Sequence, residues 1–162
     1  MSLNILAVCS GNICRSPTAA AAIAAAASAA GIEVAVDSAG TGGWNLGEPP
    51  HPQAVAAAGA LGLELVGKAR KVHSGDFERF DIILAMDRSN LADLVAMAPS
   101  KGARAKVRLF ATYHPGDLTE ISDPWGGPEE GYASMVETVR VAADGLIESL
   151  LAVAAQGAEA GE

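Results

Sequence analysis

Nine consecutive residues near the start, Cys9-Ser10-Gly11-Asn12-Ile13-Cys14-Arg15-Ser16-Pro17, constrain the chain more than any other stretch. They follow the nearly continuous apolar run Leu3 to Val8, which suits a strand covered on both faces, and they lead into an alanine-rich tract. Alanine has the best intrinsic helix propensity, so this tract reads as a helix. A turn from a strand into a helix N-terminus aims free backbone N–H groups at one spot, where the helix dipole also favours negative charge. Adding a thiol at one end of that turn and a guanidinium at the other supplies a nucleophile and a bidentate clamp for an oxyanion.

The remaining sequence supplies the frame for this turn. Ser16 is expected to cap the first helix, with Pro17 at its first position, Thr18 to Ala30 as its body and Gly31 as its stop. Ile32 to Val36 alternates like a strand. A glycine- and proline-rich loop over Ser38 to Pro50 carries Trp44, either as an anchor to the core or as an exposed aromatic surface. Pro52 to Leu61 reads as a short helix and Asp76 to Phe80 as a helical turn. Asp81 to Met86 is a third strand, Asp87 to Ala98 a helix closed by Pro99, and Lys106 to Phe110 a fourth strand. Loop follows to Gly127, then a helical apolar pattern over Tyr132 to Ala154. The expected fold is therefore α/β: a four-stranded parallel sheet with helices on both faces and a phosphate-binding loop after the first strand. Residues 1–154 read as a single domain and 155–162 as a flexible C-terminal tail.

Charge and composition narrow the partners. Nineteen acidic against eleven basic residues give a net charge of −8, which argues against nucleic acid or an anionic membrane surface as the main partner. No apolar run approaches the roughly 20 residues that span a bilayer, and no signal peptide is visible. The two cysteines match no common zinc spacing and are too few for a disulfide framework, so a reducing cytoplasm fits best.

The chemistry follows from the loop. Backbone N–H groups over Ser10, Gly11, Asn12, Ile13, Cys14 and Arg15 are expected to surround a tetrahedral oxyanion as a nest. Its positive potential favours the Cys9 thiolate, which could attack phosphorus in line while Arg15 grips the equatorial oxygens. A leaving group then needs a proton, and Asp123, in the stiff turn Asp123-Pro124-Trp125-Gly126-Gly127, is the best candidate acid.

The first motif closely resembles the signature of the low-molecular-weight protein tyrosine phosphatases. Asp37-Ser38-Ala39-Gly40-Thr41, Trp44-Asn45-Leu46-Gly47, Lys68-Ala69-Arg70, Ala85-Met86-Asp87-Arg88-Ser89-Asn90-Leu91 and Asp123-Pro124 are similar to further family segments, in family order. The resemblance implies Cys9 as nucleophile, Arg15 as phosphate clamp, Asp123 as acid and later base, and neither metal nor cofactor. It implies a phosphotyrosine-bearing protein as substrate, in a pocket formed by Ser10, Ile13, Trp44 and Trp125. Asn12, Ser16 and Ser38 would hold the loop in shape. Cys14 has two readings: a small buried residue beneath the loop, or a redox partner that traps oxidised Cys9 as a disulfide. Gly67 stands where the family often has a histidine, which implies a loop held less firmly or by water.

Rival readings remain. Protein-arginine phosphatases share the acid-loop form but tend to carry threonine at the place of Ile13, and Ile13 with Trp44 suits an aromatic ring better. Arsenate reductases of this fold need downstream thiols, and none follows Cys14. A phosphate-binding module without turnover would typically lose nucleophile, clamp or acid, and all three are present.

Overall fold

The computed structural model of the chain describes residues 2–160, the last three by backbone alone. Four strands, β1 (Leu3–Cys9), β2 (Val34–Gly40), β3 (Ile82–Ala85) and β4 (Val107–Leu109), form one parallel sheet in the order β2-β1-β3-β4. The helices are α1 (Arg15–Ala30), α2 (Pro52–Ala60), α3 (Asp76–Arg79), α4 (Arg88–Met97), α5 (Lys101–Arg104) and α6 (Glu129–Ala160). The expected α/β architecture, with helices on both faces, is the one observed.

Alternation along β1 sorts its side chains between two cores. Ile5, Ala7 and Cys9 join the cluster under α1, α2 and α6, while Leu6 and Val8 join the cluster under α3, α4 and α5. Ile5, Leu6, Ile83 and Leu84 are fully buried, and such burial stabilises by about 1.5–3 kcal/mol per side chain. On α1 the buried positions Ala19, Ala22, Ile23 and Ala27 repeat at helical spacing. Their small side chains let α1 lie close to α6, whose Val136, Val139 and Ala143 share the same cluster.

Several boundaries differ from expectation for identifiable reasons. Helix α1 begins at Arg15 with Cys14 at its N-cap, and no side chain caps it. Ser16 therefore does not cap. Its hydroxyl turns inward to the site, and Pro17 still falls within the first turn, where a missing N–H costs nothing. Strand β2 runs on to Gly40 because it pairs with β1 through Cys9↔Gly40. Helix α4 is capped by Asp87, whose carboxylate accepts from the Asn90 N–H at 2.8 Å. Helix α6 starts at Glu129, just after Pro128, and runs through Ala155–Ala160, where a tail was expected; the last two residues of that tail lie outside the described residues. Among the described residues no helix is long and apolar enough to cross a membrane.

Candidate active site

The loop after β1 lies at the C-terminal edge of the sheet, at the end of a central strand. Its backbone is pinned from below: Thr41 N–H donates to Cys9 O at 2.9 Å and Gly42 N–H to Ser10 O at 3.0 Å. Gly40 is required there, since a Cβ would stand 2.7 Å from the Ser10 carbonyl oxygen.

Asn12 sets the loop's curvature. Its φ of 59° is left-handed, a conformation asparagine tolerates better than most residues. Nδ2 donates to Ser16 Oγ at 2.8 Å and to Ser38 Oγ at 2.9 Å, while Oδ1 accepts the Arg70 N–H at 3.0 Å. The two serines expected to support the loop thus meet on the Asn12 side chain, and Arg70 adds a third partner. Gly67 takes no part; its φ of 89° reflects the turn before Lys68-Ala69-Arg70.

Cys9 is 3% exposed and its Sγ faces two donors. The Asn12 N–H lies 3.3 Å away and Ser16 Oγ 3.0 Å away. Because Ser16 Oγ already accepts from Asn12, its hydroxyl proton is free to point at the sulfur. Burial pushes the Cys14 thiol up to about 12, with the Cys9 and Asp123 charges adding and Arg15 opposing. At neutral pH it is an uncharged thiol.

Arg15 is held from the other half of the chain. Nη1 donates to Asp87 Oδ2 at 2.6 Å and to the Ile121 carbonyl at 3.0 Å. Ile121 N–H in turn bonds the Met86 carbonyl at the end of β3, so the segment leading to Asp123 is fixed to the sheet. With Nη1 occupied, the Nε and Nη2 edge remains for an anion. Asp123 Oδ2 lies 3.7 Å from Arg15 Nη2, and its Oδ1 accepts the Trp125 N–H at 3.1 Å.

A cavity of about 350 Å³ opens over this loop, lined by Cys9, Gly11, Ile13, Cys14, Arg15, Trp44, Asn45, Asp123 and Trp125. Trp44 and Trp125 are 74% and 66% exposed, so their rings form rims and do not anchor their loops. Trp44 folds against Gly42, where any Cβ would overlap the indole. The expected wall residues Ile13, Trp44 and Trp125 are brought together, but Ser10 is not among the lining residues. Its hydroxyl is engaged instead by Asn90 Nδ2 at 3.1 Å and Arg15 Nη2 at 3.5 Å. Asn45 was missed as a lining residue; its Nδ2 reaches the Gly11 carbonyl at 3.3 Å. Asp87 and Asn90 were also missed as site residues, although an acidic residue just before a helix signals a cap.

Beneath the loop, Arg70 bridges Asp37 on β2 and the buried Asp76, at 3.1 and 3.0 Å. Burial alone would raise the Asp76 pKa, but hydrogen bonds from Arg70 and the His73 N–H outweigh it and hold the carboxyl below its ordinary range. This ion pair secures the Arg70 backbone that holds Asn12.

Comparison with known proteins agrees with this geometry. A family model described as low molecular weight phosphotyrosine protein phosphatase matches residues 4–156. A Streptomyces coelicolor protein named low molecular weight protein-tyrosine-phosphatase is 38% identical over 156 residues, covering 93% of this chain and 94% of that one. A Schizosaccharomyces pombe low molecular weight phosphotyrosine protein phosphatase is 40% identical over 135 residues, with 81% and 86% covered. Among solved structures, a protein tyrosine phosphatase from Entamoeba histolytica with Hepes in its active site superposes with a TM-score of 0.88 at 30% identity, covering 91% of this chain and 96% of that one.

Proposed function

The chain belongs to the low molecular weight phosphotyrosine protein phosphatase family, and we propose that it hydrolyses phosphotyrosine on protein substrates through a phosphocysteine intermediate. One observation carries the reading: Cys9, Arg15 and Asp123 border a single cavity whose rim is Trp44, Ile13 and Trp125.

In the first step the Cys9 thiolate attacks phosphorus in line, forming an S–P bond as the P–O bond to the tyrosine ring breaks. Asp123, as the carboxylic acid, gives its proton to the departing phenolate oxygen. Arg15 and the loop N–H groups hold the equatorial oxygens, which gain most from a preorganised site as charge shifts in the transition state. Water then attacks phosphorus and loses its proton to Asp123. The S–P bond breaks, inorganic phosphate leaves, and the thiolate is restored. Ser16 supports this last departure by donating to the sulfur. Ile13, apolar where arginine phosphatases tend to carry threonine, and Trp44 beside it suit an aromatic ring.

Cys14, which borders the same cavity as Cys9, is the candidate thiol to capture an oxidised Cys9. A Cys9 sulfenic acid would condense with it to a disulfide, releasing water. A reducing cytoplasm suits both thiols.

The test is turnover of an aryl phosphate by purified protein without added metal. Cys9→Ser is expected to abolish it, and undiminished turnover would sink the mechanism. Peptides bearing phosphotyrosine, phosphoarginine or phosphoserine then decide the substrate class; a preference for phosphoarginine would replace the tyrosine reading.

A further inference from the structure

Ser10 and Asn90 form a contact that the phosphatase chemistry above does not use. Ser10 directly follows β1, and its hydroxyl meets two side chains from different parts of the fold. There Asn90 Nδ2 lies 3.1 Å from Ser10 Oγ, and Arg15 Nη2 lies 3.5 Å from the same oxygen. Asn90 is fully buried, and its own N–H is fixed to Asp87 Oδ1. The other oxygen of Asp87 takes Arg15 Nη1. Arg15, Asp87, Asn90 and Ser10 therefore close a ring of contacts, with the guanidinium held at both terminal nitrogens.

The ring matters because of what competes for Nη2. Asp123 Oδ2 stands 3.7 Å from that nitrogen, on a side chain 51% exposed. Without a contact on the Ser10 side, only Nη1 fixes the fork, and the Nη2 end is free to tilt toward Asp123. Such a tilt spoils bidentate geometry for an oxyanion and ties the acid to the clamp. A neutral hydroxyl is suited to oppose it, since it holds an N–H without adding negative charge beside the anion.

We infer that Ser10 and Asn90 are positioning residues for Arg15: the Ser10 hydroxyl, held by the Asn90 amide, sets the plane in which the guanidinium meets a tetrahedral oxyanion. The amide's other atom, Oδ1, is buried without a partner among the described residues, so Asn90 makes this contact at the expense of full pairing. Buried polar groups left incompletely paired are costly, which marks Asn90 as a residue placed for its contact with Ser10.

The inference rests on the phosphatase reading for its catalytic consequence but not for its test. Inorganic phosphate binding is measured by calorimetry on wild type, Ser10→Ala, Ser10→Thr, Asn90→Ala and the double variant, beside kcat and KM for an aryl phosphate and the melting temperature. Ser10→Ala is expected to weaken phosphate binding and lower kcat/KM about three- to tenfold, with melting little changed. Ser10→Thr, which keeps the hydroxyl, is expected to restore both. Ser10→Ala with Asn90→Ala is expected to cost no more than the worse single change, because both act through one contact. Unchanged phosphate affinity in Ser10→Ala, or fully additive losses, overturns the inference. Ser10→Ala avoids dependence on the folding of the buried Asn90 variant. Wild type that binds phosphate without turnover would instead refute the phosphatase reading, leaving the positioning result to stand on the calorimetry.

Discussion

Replacing Asn12 by alanine tests whether the loop's shape is held by one side chain. Three hydrogen bonds disappear, at 2.8, 2.9 and 3.0 Å, and each is worth about 1 kcal/mol net. The two serine hydroxyls can rotate to other partners, but the Arg70 N–H loses its acceptor. Alanine at a φ of 59° costs about 1 kcal/mol more, since its Cβ crowds the following carbonyl. The sum is a loss of about 3–5 kcal/mol, a large share of the roughly 5–15 kcal/mol typical of a whole domain. Asn12→Gly removes the same bonds without the crowding and should be more stable than Asn12→Ala by about 1 kcal/mol. Both should lose about 10²-fold in kcat/KM, because the Asn12 N–H no longer points at Cys9. Urea unfolding followed by circular dichroism gives the stabilities, and aryl phosphate turnover gives the rates. Asn12→Ala within 1 kcal/mol of wild type, or glycine no better than alanine, would show that the loop is held by something else.

Three further outcomes are expected. Asp123→Asn should lower kcat mainly on substrates with poor leaving groups, and an equal loss across a leaving-group series would argue against an acid role. Asp76→Asn should destabilise by about 1–3 kcal/mol at pH 7. The wild-type Asp76 carboxyl is held below its unfolded value, so its contribution is full above the ordinary carboxylate range and fades as pH falls through the folded value; unfolding curves of the two proteins should therefore converge in acid. Gly42→Ala should displace the Trp44 indole, raising KM for aryl substrates with stability within about 0.5 kcal/mol of wild type, because the displaced ring is already exposed. An unchanged KM would remove Trp44 from the pocket.

What the sequence disclosed and what it hid divide along contact range. The strand-loop-helix unit was legible because its signals are local: an apolar run, a glycine turn, then alanines. Asp123 was legible because the proline and glycines around it mark a stiff turn. The partners of Arg15 were not, since a buried guanidinium reaching Asp87 and the Ile121 carbonyl leaves no trace at either sequence position. Ser16 misled because a hydroxyl before a helix ordinarily caps it, whereas here it serves sulfur and amide. Ser10 was assigned to the pocket by resemblance, and its hydroxyl is taken up by Asn90, a partner 80 positions away that no local signal announces. The long run of α6 past Ala154 follows from good helix formers that carry no apolar pattern.

The tethering of Arg15 also bears on how the protein comes into being. A bond between Arg15 and Ile121 spans 106 positions, and the Asp87 contact spans 72. During synthesis Cys9 and Arg15 emerge among the first residues, long before these partners exist. A growing chain therefore carries the thiol in an ungripped loop, and the anion site closes only when β3, α4 and the Ile121 segment have docked. Such long-range closures are entropically costly and come late in folding. Catalytic competence is thus a report on completed tertiary structure: phosphate binding during refolding should lag behind secondary structure, and a nascent fragment ending before Ile121 should hydrolyse nothing.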